Sequence, residues 1–212
     1  MRVARTALLT LVLVVAPHGS ADATIAPNPP LAATRTLAAK LAHSGRGEAP
    51  VTVSRSDPMG GPDREDQGQL ILEPPDRVRL DFGQTGERIA LRGDGGEWVQ
   101  PAAKQMVKIR REQAGLAAWL WEVFLQGGGD AFGERASGER RYTLEPRDRA
   151  AGLPGKITIT LDARGLPSEV RFVESEGVEI RYRFRSWSFR AAKGAKAFTL
   201  TAPRGYAVVD LP

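Results

Sequence analysis

Apolar and polar residues alternate through most of this chain, most clearly from Gly68 to Phe82. Leu70 and Leu72 alternate with Gln69, Ile71 and Glu73. After Pro74-Pro75-Asp76, Val78, Leu80 and Phe82 alternate with Arg77, Arg79 and Asp81. Period-two patterning on both sides of a Pro-Pro-Asp break predicts two antiparallel strands joined by a tight turn. Pro75 presets the first central dihedral of that turn, and Asp76 can bond its own backbone.

The same pattern predicts strands around Val51 and Val53, Ile89 and Leu91, Trp98 and Val99, Met106 to Ile109, and Tyr142 and Leu144. It continues at Ile157 to Leu161, at Val170 and Phe172, and most cleanly at Val178, Ile180, Tyr182 and Phe184. Trp187 and Phe189 fall out of phase with this last run, so a bulge or strand end is predicted near Arg185–Ser186. Phe198 with Leu200 predicts a further strand, and Tyr206 to Val209 closes the chain. Gly93-Asp94-Gly95-Gly96, Asp162-Ala163-Arg164-Gly165 and Ser175-Glu176-Gly177 are turn signals. Residues 56–66 are Gly, Pro and charge, which predicts a long mobile loop.

Two stretches change period. From Leu31 to His43, Leu31, Thr34, Leu37, Ala38, Leu41 and Ala42 share one side of a helix, which Ser44-Gly45-Arg46-Gly47 ends. From Ala114 to Leu125, Leu116, Trp119, Leu120, Val123 and Phe124 follow helical spacing, while Trp121 and Leu125 are apolar off that face. A helix apolar nearly all round sits between two apolar surfaces, and this one is too short to cross a bilayer. It is either an ordinary buried helix or a lid over an apolar cavity. Gly127-Gly128-Gly129 gives it a flexible exit.

Many strands at hairpin spacing, with helices in only two places, predict one large antiparallel sheet that must curl. Two modest helices are what the chain offers to cover a broad apolar face. The fold class expected is mainly β with α, a half-barrel with helices laid in its mouth and space for a ligand between.

The first residues change the picture of where this sheet works. Arg2 and Arg5, an apolar run from Ala7 to Ala16, and Ala21-Asp22-Ala23 read as a secretory signal peptide over residues 1–23. One domain is then expected over residues 24–212, soluble in the periplasm or outside the cell. The chain has no cysteine, so burial and strand pairing must hold it, and no thiol carries a lipid anchor. A net charge of +5 would raise nucleic acid as a partner of a cytosolic protein. The export signal and the spread of charges over alternate strand positions exclude it here.

Catalytic chemistry finds little to work with. His43 is the single histidine after residue 23, and zinc-type clusters and Cys–His dyads are excluded, so no metal or cofactor is expected. No serine lies in a nucleophile elbow. Asp94 belongs to a turn, Glu174 and Glu176 flank another, and Gly93-Asp94-Gly95-Gly96 lacks the helix a phosphate loop requires. The expectation is a binding protein and not an enzyme.

Apolar-ligand binding has the better physical case. The candidate cavity residues are Leu70, Leu72, Val78, Leu80 and Phe82 from the central pair, with Ile89, Leu91 and Trp98 from the next strands. Phe172, Tyr182 and Phe184 join them from the later strands. Leu116, Trp119, Leu120, Val123 and Phe124 belong to the candidate lid. Phe132 and Trp121 are further aromatic candidates for the same interior.

Several of these pieces together resemble the LolA-type carriers that ferry lipoproteins across the periplasm. The Gly68–Phe82 pair resembles that family's strand, Pro turn and second strand. Gly93-Asp94-Gly95 with Trp98 resembles its Asp-Gly hairpin, and Tyr142-Thr143-Leu144-Glu145-Pro146 its aromatic-x-Leu-x-Pro segment. The run from Phe198 to Gly205, followed by Val208, resembles its closing strand. The resemblance implies an incomplete, unclosed antiparallel β-barrel of about 10–11 strands covered by two or three short helices, with lipoprotein acyl chains held between. It implies an inner-membrane ATP-driven lipoprotein-releasing complex and an outer-membrane receptor lipoprotein as partners, and a monomeric carrier. By position, Val78 and Leu80 take the places of two family aromatics at the cavity mouth. The family's latch arginine is here Pro74, which donates no hydrogen bond. Arg77 and Arg79 are nearby, but strand alternation points them away from Val78 and Leu80. The chain also ends soon after Val209, without the C-terminal extension of some members. A lipid-sensing adaptor and a shuttle for other envelope lipids are the alternatives on the same fold.

Overall fold

The computed structural model describes residues 29–56, 59, 61–110, 123–147, 155–174 and 177–210. The expected signal peptide, the Trp119- and Trp121-bearing part of the second helix and the tip of the Ser175-Glu176-Gly177 turn lie outside the described residues.

Helix α1 (Ala32–Ser44) forms where the helical period was read. Gly45, at φ 91°, adopts the left-handed conformation and donates its N–H to the carbonyl of Leu41, which stops the helix. The N-cap position, Leu31, offers no side-chain cap. Its place is taken from far along the chain: the Glu134 carboxylate accepts from the N–H of Ala32 and of Ala33, each at 2.8 Å. An anion at a helix N-terminus satisfies free donors and opposes the positive end of the dipole.

The strands are β1 (Arg46–Arg55), β2 (Arg64–Glu73), β3 (Arg77–Phe82), β4 (Arg88–Arg92), β5 (Gly95–Gln100) and β6 (Gln105–Arg110). They continue as β7 (Phe132–Gly138), β8 (Arg141–Pro146), β9 (Ile157–Leu161), β10 (Pro167–Val173), β11 (Glu179–Phe184), β12 (Ser188–Arg190) and β13 (Ala207–Asp210). All belong to one 13-stranded sheet in the order β13-β6-β5-β4-β3-β2-β1-β11-β10-β9-β8-β7, with β12 pairing separately with β1. The two ends of that order do not pair, so the sheet is an open barrel. The Pro74–Pro75 turn joins β2 to β3 through a cis peptide bond, and Leu70 faces Leu80 across the pair.

The sheet has more strands than the sequence pattern showed. β7 carries one buried apolar residue, Phe132, and is exposed from Arg135 onward, as an edge strand can be. β2 begins at Arg64 and pairs with β1, so residues 64–66 are strand where a loop was expected. Phe198 and Leu200 do not form a strand: Ala195–Phe198 is a 3-10 helix, and both apolar residues are buried by packing on the sheet's outer face. β13 pairs with β6 in parallel, so the sheet is not wholly antiparallel. The phase break before Trp187 does separate two strands, since β11 ends at Phe184 and β12 pairs with the start of β1.

Candidate functional site

The inner face of the sheet is built from rows of side chains set by strand register. One row runs through Ala49, Leu70, Leu80, Ile89, Trp98 and Val107, each opposite the next. Another runs through Val53, Tyr182, Val170, Ile159 and Tyr142. A one-residue slip at any pair would turn its apolar residues outward, so register itself makes the face continuous.

Helix α1 covers part of this face, packing on β1, β9, β10 and β12. Its Leu37 and Leu41 are 0% and 1% exposed. Val123 and Phe124, helical where the second helix was expected, are also fully buried. Gly128, at φ 67°, lies so near Val123 and Leu31 that a side chain there would be crowded from both sides. Leu31 and Thr34 both donate to the Gly127 carbonyl, at 3.0 and 3.2 Å, which ties the start of α1 to the exit of the second helix.

Beneath these elements lies an aromatic cluster. Phe124 meets Phe184 edge-on with centroids 6.0 Å apart, and Trp187 packs against both, at 6.5 and 5.4 Å. Trp187 donates its indole N–H to the Pro167 carbonyl at 2.7 Å. Tyr182 stacks on Phe172 at 6.2 Å. Burial pushes its hydroxyl up to about 12 and nearby Glu174 adds to this, while Arg55 opposes it. Tyr182 therefore contributes a neutral ring to the face at any physiological pH.

The opposite half of the inner face is apolar too, and α1 does not pack on its strands β3 to β6. Phe82, Ile89, Trp98 and Ile109, on β3 to β6, are only half-buried. Trp98 donates its indole N–H to Glu87 at 3.2 Å, which leaves the rest of its ring beside Ile89 and Val107. From β6 the chain runs directly into the Trp119 and Trp121 stretch.

Arg77 and Arg79 stand on the outer face, as alternation indicated. Arg77 pairs with the fully buried Glu73, and Arg79 donates to Asp81 and, at 2.7 Å, to the Ala197 carbonyl. They hold the segment 193–198 against the back of the sheet. Neither reaches the inner face.

The structure thus brings together on one face Leu70, Leu72, Val78, Leu80 and Leu91, all buried, with Phe82, Ile89 and Trp98 half-buried beside them. Phe172, Tyr182 and Phe184 lie on the same face and in the same core cluster, with Val123 and Phe124 packed into it. Leu116, Trp119 and Leu120 lie outside the described residues. Sequence reasoning left out Leu144, Ile157, Ile159, Val170 and Ile180, which complete the face; their alternation was visible, but no aromatic ring singled them out. Nothing in the sequence pointed to Glu134 as the helix cap.

These features define a class: an open β half-barrel whose apolar inner face is partly filled by a helix. An unclosed barrel of this kind is what the sequence resemblance implied. No protein-family model and no curated protein matches the sequence. Solved structures do. An uncharacterised conserved protein from Thermus thermophilus aligns at TM-score 0.50 and 13% identity, over 84% of this chain and 98% of that one, and shows the shared fold. A LolA superfamily protein from Nitrosomonas europaea aligns at TM-score 0.45 and 11% identity, over 79% and 97%. A DUF1329 family protein from Desulfovibrio piger aligns at TM-score 0.46 and 9% identity, over 77% and 94%.

Proposed function

We propose that this chain is a periplasmic carrier that binds lipoprotein acyl chains against the inner face of its sheet and moves them from the inner to the outer membrane. The observation that carries this reading is the apolar row from Leu70 to Val107, whose Ile89 and Trp98 stay half-buried on the half that α1 leaves uncovered. Apolar surface held partly open on a protein that folds without disulfides is a standing cost, and it is recovered when hydrocarbon covers it. Burying each methylene contributes about 0.8 kcal/mol, so a dozen contribute roughly 10 kcal/mol before ordering costs. Residues 114–125 are the lid in this reading, and cargo displaces Leu116, Trp119 and Leu120 from the face. The partner reading, an ATP-driven releasing complex and a receptor lipoprotein, rests on the sequence resemblance alone. Among the described residues no helix is long and apolar enough to cross a membrane.

The test is uptake of a diacylated lipopeptide by delipidated protein, followed by transfer to acceptor vesicles. Bromine on the acyl chain should quench tryptophan fluorescence. Ile89→Lys should lower uptake by about tenfold or more, with far-UV circular dichroism unchanged. Leu120→Glu should abolish uptake with the strands intact. Uptake without transfer would replace the carrier with a lipid-sensing adaptor, and no uptake would remove lipid binding altogether.

A further inference from the structure

A second surface, away from the inner face, carries its own chemistry. A groove of about 540 Å³ lies between the exposed side of α1 and Phe189 of β12. Arg35, Lys40 and His43 line it with Thr36, Ala39 and Phe189. Helix α1 contains no Asp or Glu, and among the described residues no carboxylate pairs with Arg35 or Lys40. The Lys40 ammonium is held 5.5 Å above the Phe189 ring centroid. The groove therefore presents unneutralised positive charge directly beside an aromatic floor.

That floor is not isolated. Phe189 stacks on Trp187 at 6.5 Å and an interplanar angle of 18°, and Trp187 packs against Phe184 and Phe124 of the core. The groove is the outer end of a chain of rings anchored in the protein interior, so its shape is set by core packing and not by a mobile loop.

We propose that this groove binds an anionic lipid headgroup, with a phosphate on Arg35 and Lys40 and the first carbons of its apolar stem against Ala39 and the edge of the Phe189 ring. It is a site separate from the inner face, and it holds whether or not the inner face carries acyl chains. An acidic peptide is the poorer fit. An extended peptide laid in the groove needs backbone partners, and the groove wall is a helix whose backbone groups are bonded within it, with Gly45 donating to Leu41 at its end. A lipid headgroup needs only cations and apolar surface, which is what the groove offers.

The experiment uses full-length protein labelled with nitrogen-15 and titrated with dihexanoylphosphatidylglycerol below its micelle concentration. The expected result is saturable shifts at Ala39, His43 and Phe189. The double variant Arg35→Gln with Lys40→Gln, both exposed positions, should weaken binding by about tenfold or more while circular dichroism is unchanged. Dihexanoylphosphatidylcholine should bind more weakly. Equal binding of glycerol phosphate would overturn the lipid assignment in favour of a free-anion site, and tighter binding of a hexaglutamate peptide would overturn it in favour of a protein partner. Unmoved groove resonances, or a double variant that binds as well as the parent, would also overturn it. Ile89→Lys, which blocks the inner face, should leave these shifts intact, so the two sites can fail separately.

Discussion

The two halves of the sheet are covered on opposite sides and by opposite chemistry. On β2 to β5 the outer face is covered by the chain after β12, held by charge. The Glu73 carboxylate accepts from the N–H of Lys193 and of Gly194 at 2.6 and 3.0 Å, besides pairing with Arg77. Arg92 is bidentate to Glu97 and donates to the Phe198 carbonyl at 2.7 Å. A small second core of Ala90, Val99, Met106 and Leu200 lies beneath. On the other half the covering element is α1, which packs on β1, β9, β10 and β12 from the inner face and is held there by Leu37 and Leu41. The outer face there is solvated charge, with Arg171 and Arg181 sharing Glu179 at 3.8 and 2.8 Å. A sheet stiffened from behind on one half and packed from within by α1 on the other leaves Ile89 and Trp98 of the first half's inner face partly open among the described residues. The charged clamp lets that half stay open without losing its shape.

The largest expected effect is on the plugged half. Leu37→Ala removes a fully buried side chain from α1 and should cost about 2–5 kcal/mol, read as a lowered denaturation midpoint with the slope unchanged. The clamped half should break differently. Glu73→Ala strands two backbone donors and the Arg77 guanidinium, and should cost about 1–3 kcal/mol. Hydrogen exchange would separate the two: Glu73→Ala should expose the amides of Lys193, Gly194 and Leu200 while α1 stays protected. Loss of α1 protection instead would show that the halves are not independent.

Much of this division was legible in the sequence, and its limits have physical causes. Alternation placed β2, β3, β9 and β11 because one face of each is apolar every second residue, set against mainly polar positions such as Thr158 and Thr160 on β9 and Arg181 and Arg183 on β11. It missed β7, whose stretch from Phe132 to Gly138 has one large apolar residue and sits at the edge. It misread Phe198 and Leu200 because apolar alternation serves a strap packed on a sheet as well as a strand within one. The clamp itself was hidden: Glu73, Arg77, Arg79 and Arg92 look like solvated positions until the strap, more than a hundred residues away in sequence from Glu73, covers them. The candidate site was legible as an apolar face, while the part of it that α1 covers depended on where α1 came to lie.

A smaller effect tests how α1 is fixed at its start. Glu134→Ala removes both hydrogen bonds to the helix N-terminus and should cost about 0.5–2 kcal/mol. Glu134→Gln keeps an acceptor but loses the charge opposing the dipole, so its cost should be intermediate. Measured by denaturant unfolding, equal costs for both variants would show that charge, and not hydrogen bonding, carries the cap.

The smallest effect probes the turn on which α1 rests. Residues 162–165 join β9 to β10, and a side chain on Gly165 would lie 3.1 Å from the Thr36 hydroxyl of α1. Asp162 shapes this turn by accepting from the N–H of Arg164 and of Leu166, at 2.8 and 2.9 Å. Burial pushes its carboxyl up, but those two N–H groups and the Arg164 guanidinium outweigh it and hold the group below its ordinary 3.8. A carboxyl lowered on folding stabilises the folded state above its unfolded value, and that contribution is lost as pH falls through the folded one. Asp162→Asn should therefore cost at most about 1 kcal/mol at pH 7. The difference from the parent should shrink as pH drops below 3.8. A gap that stayed constant into acid would mean the turn needs only the shape of the side chain and not its charge.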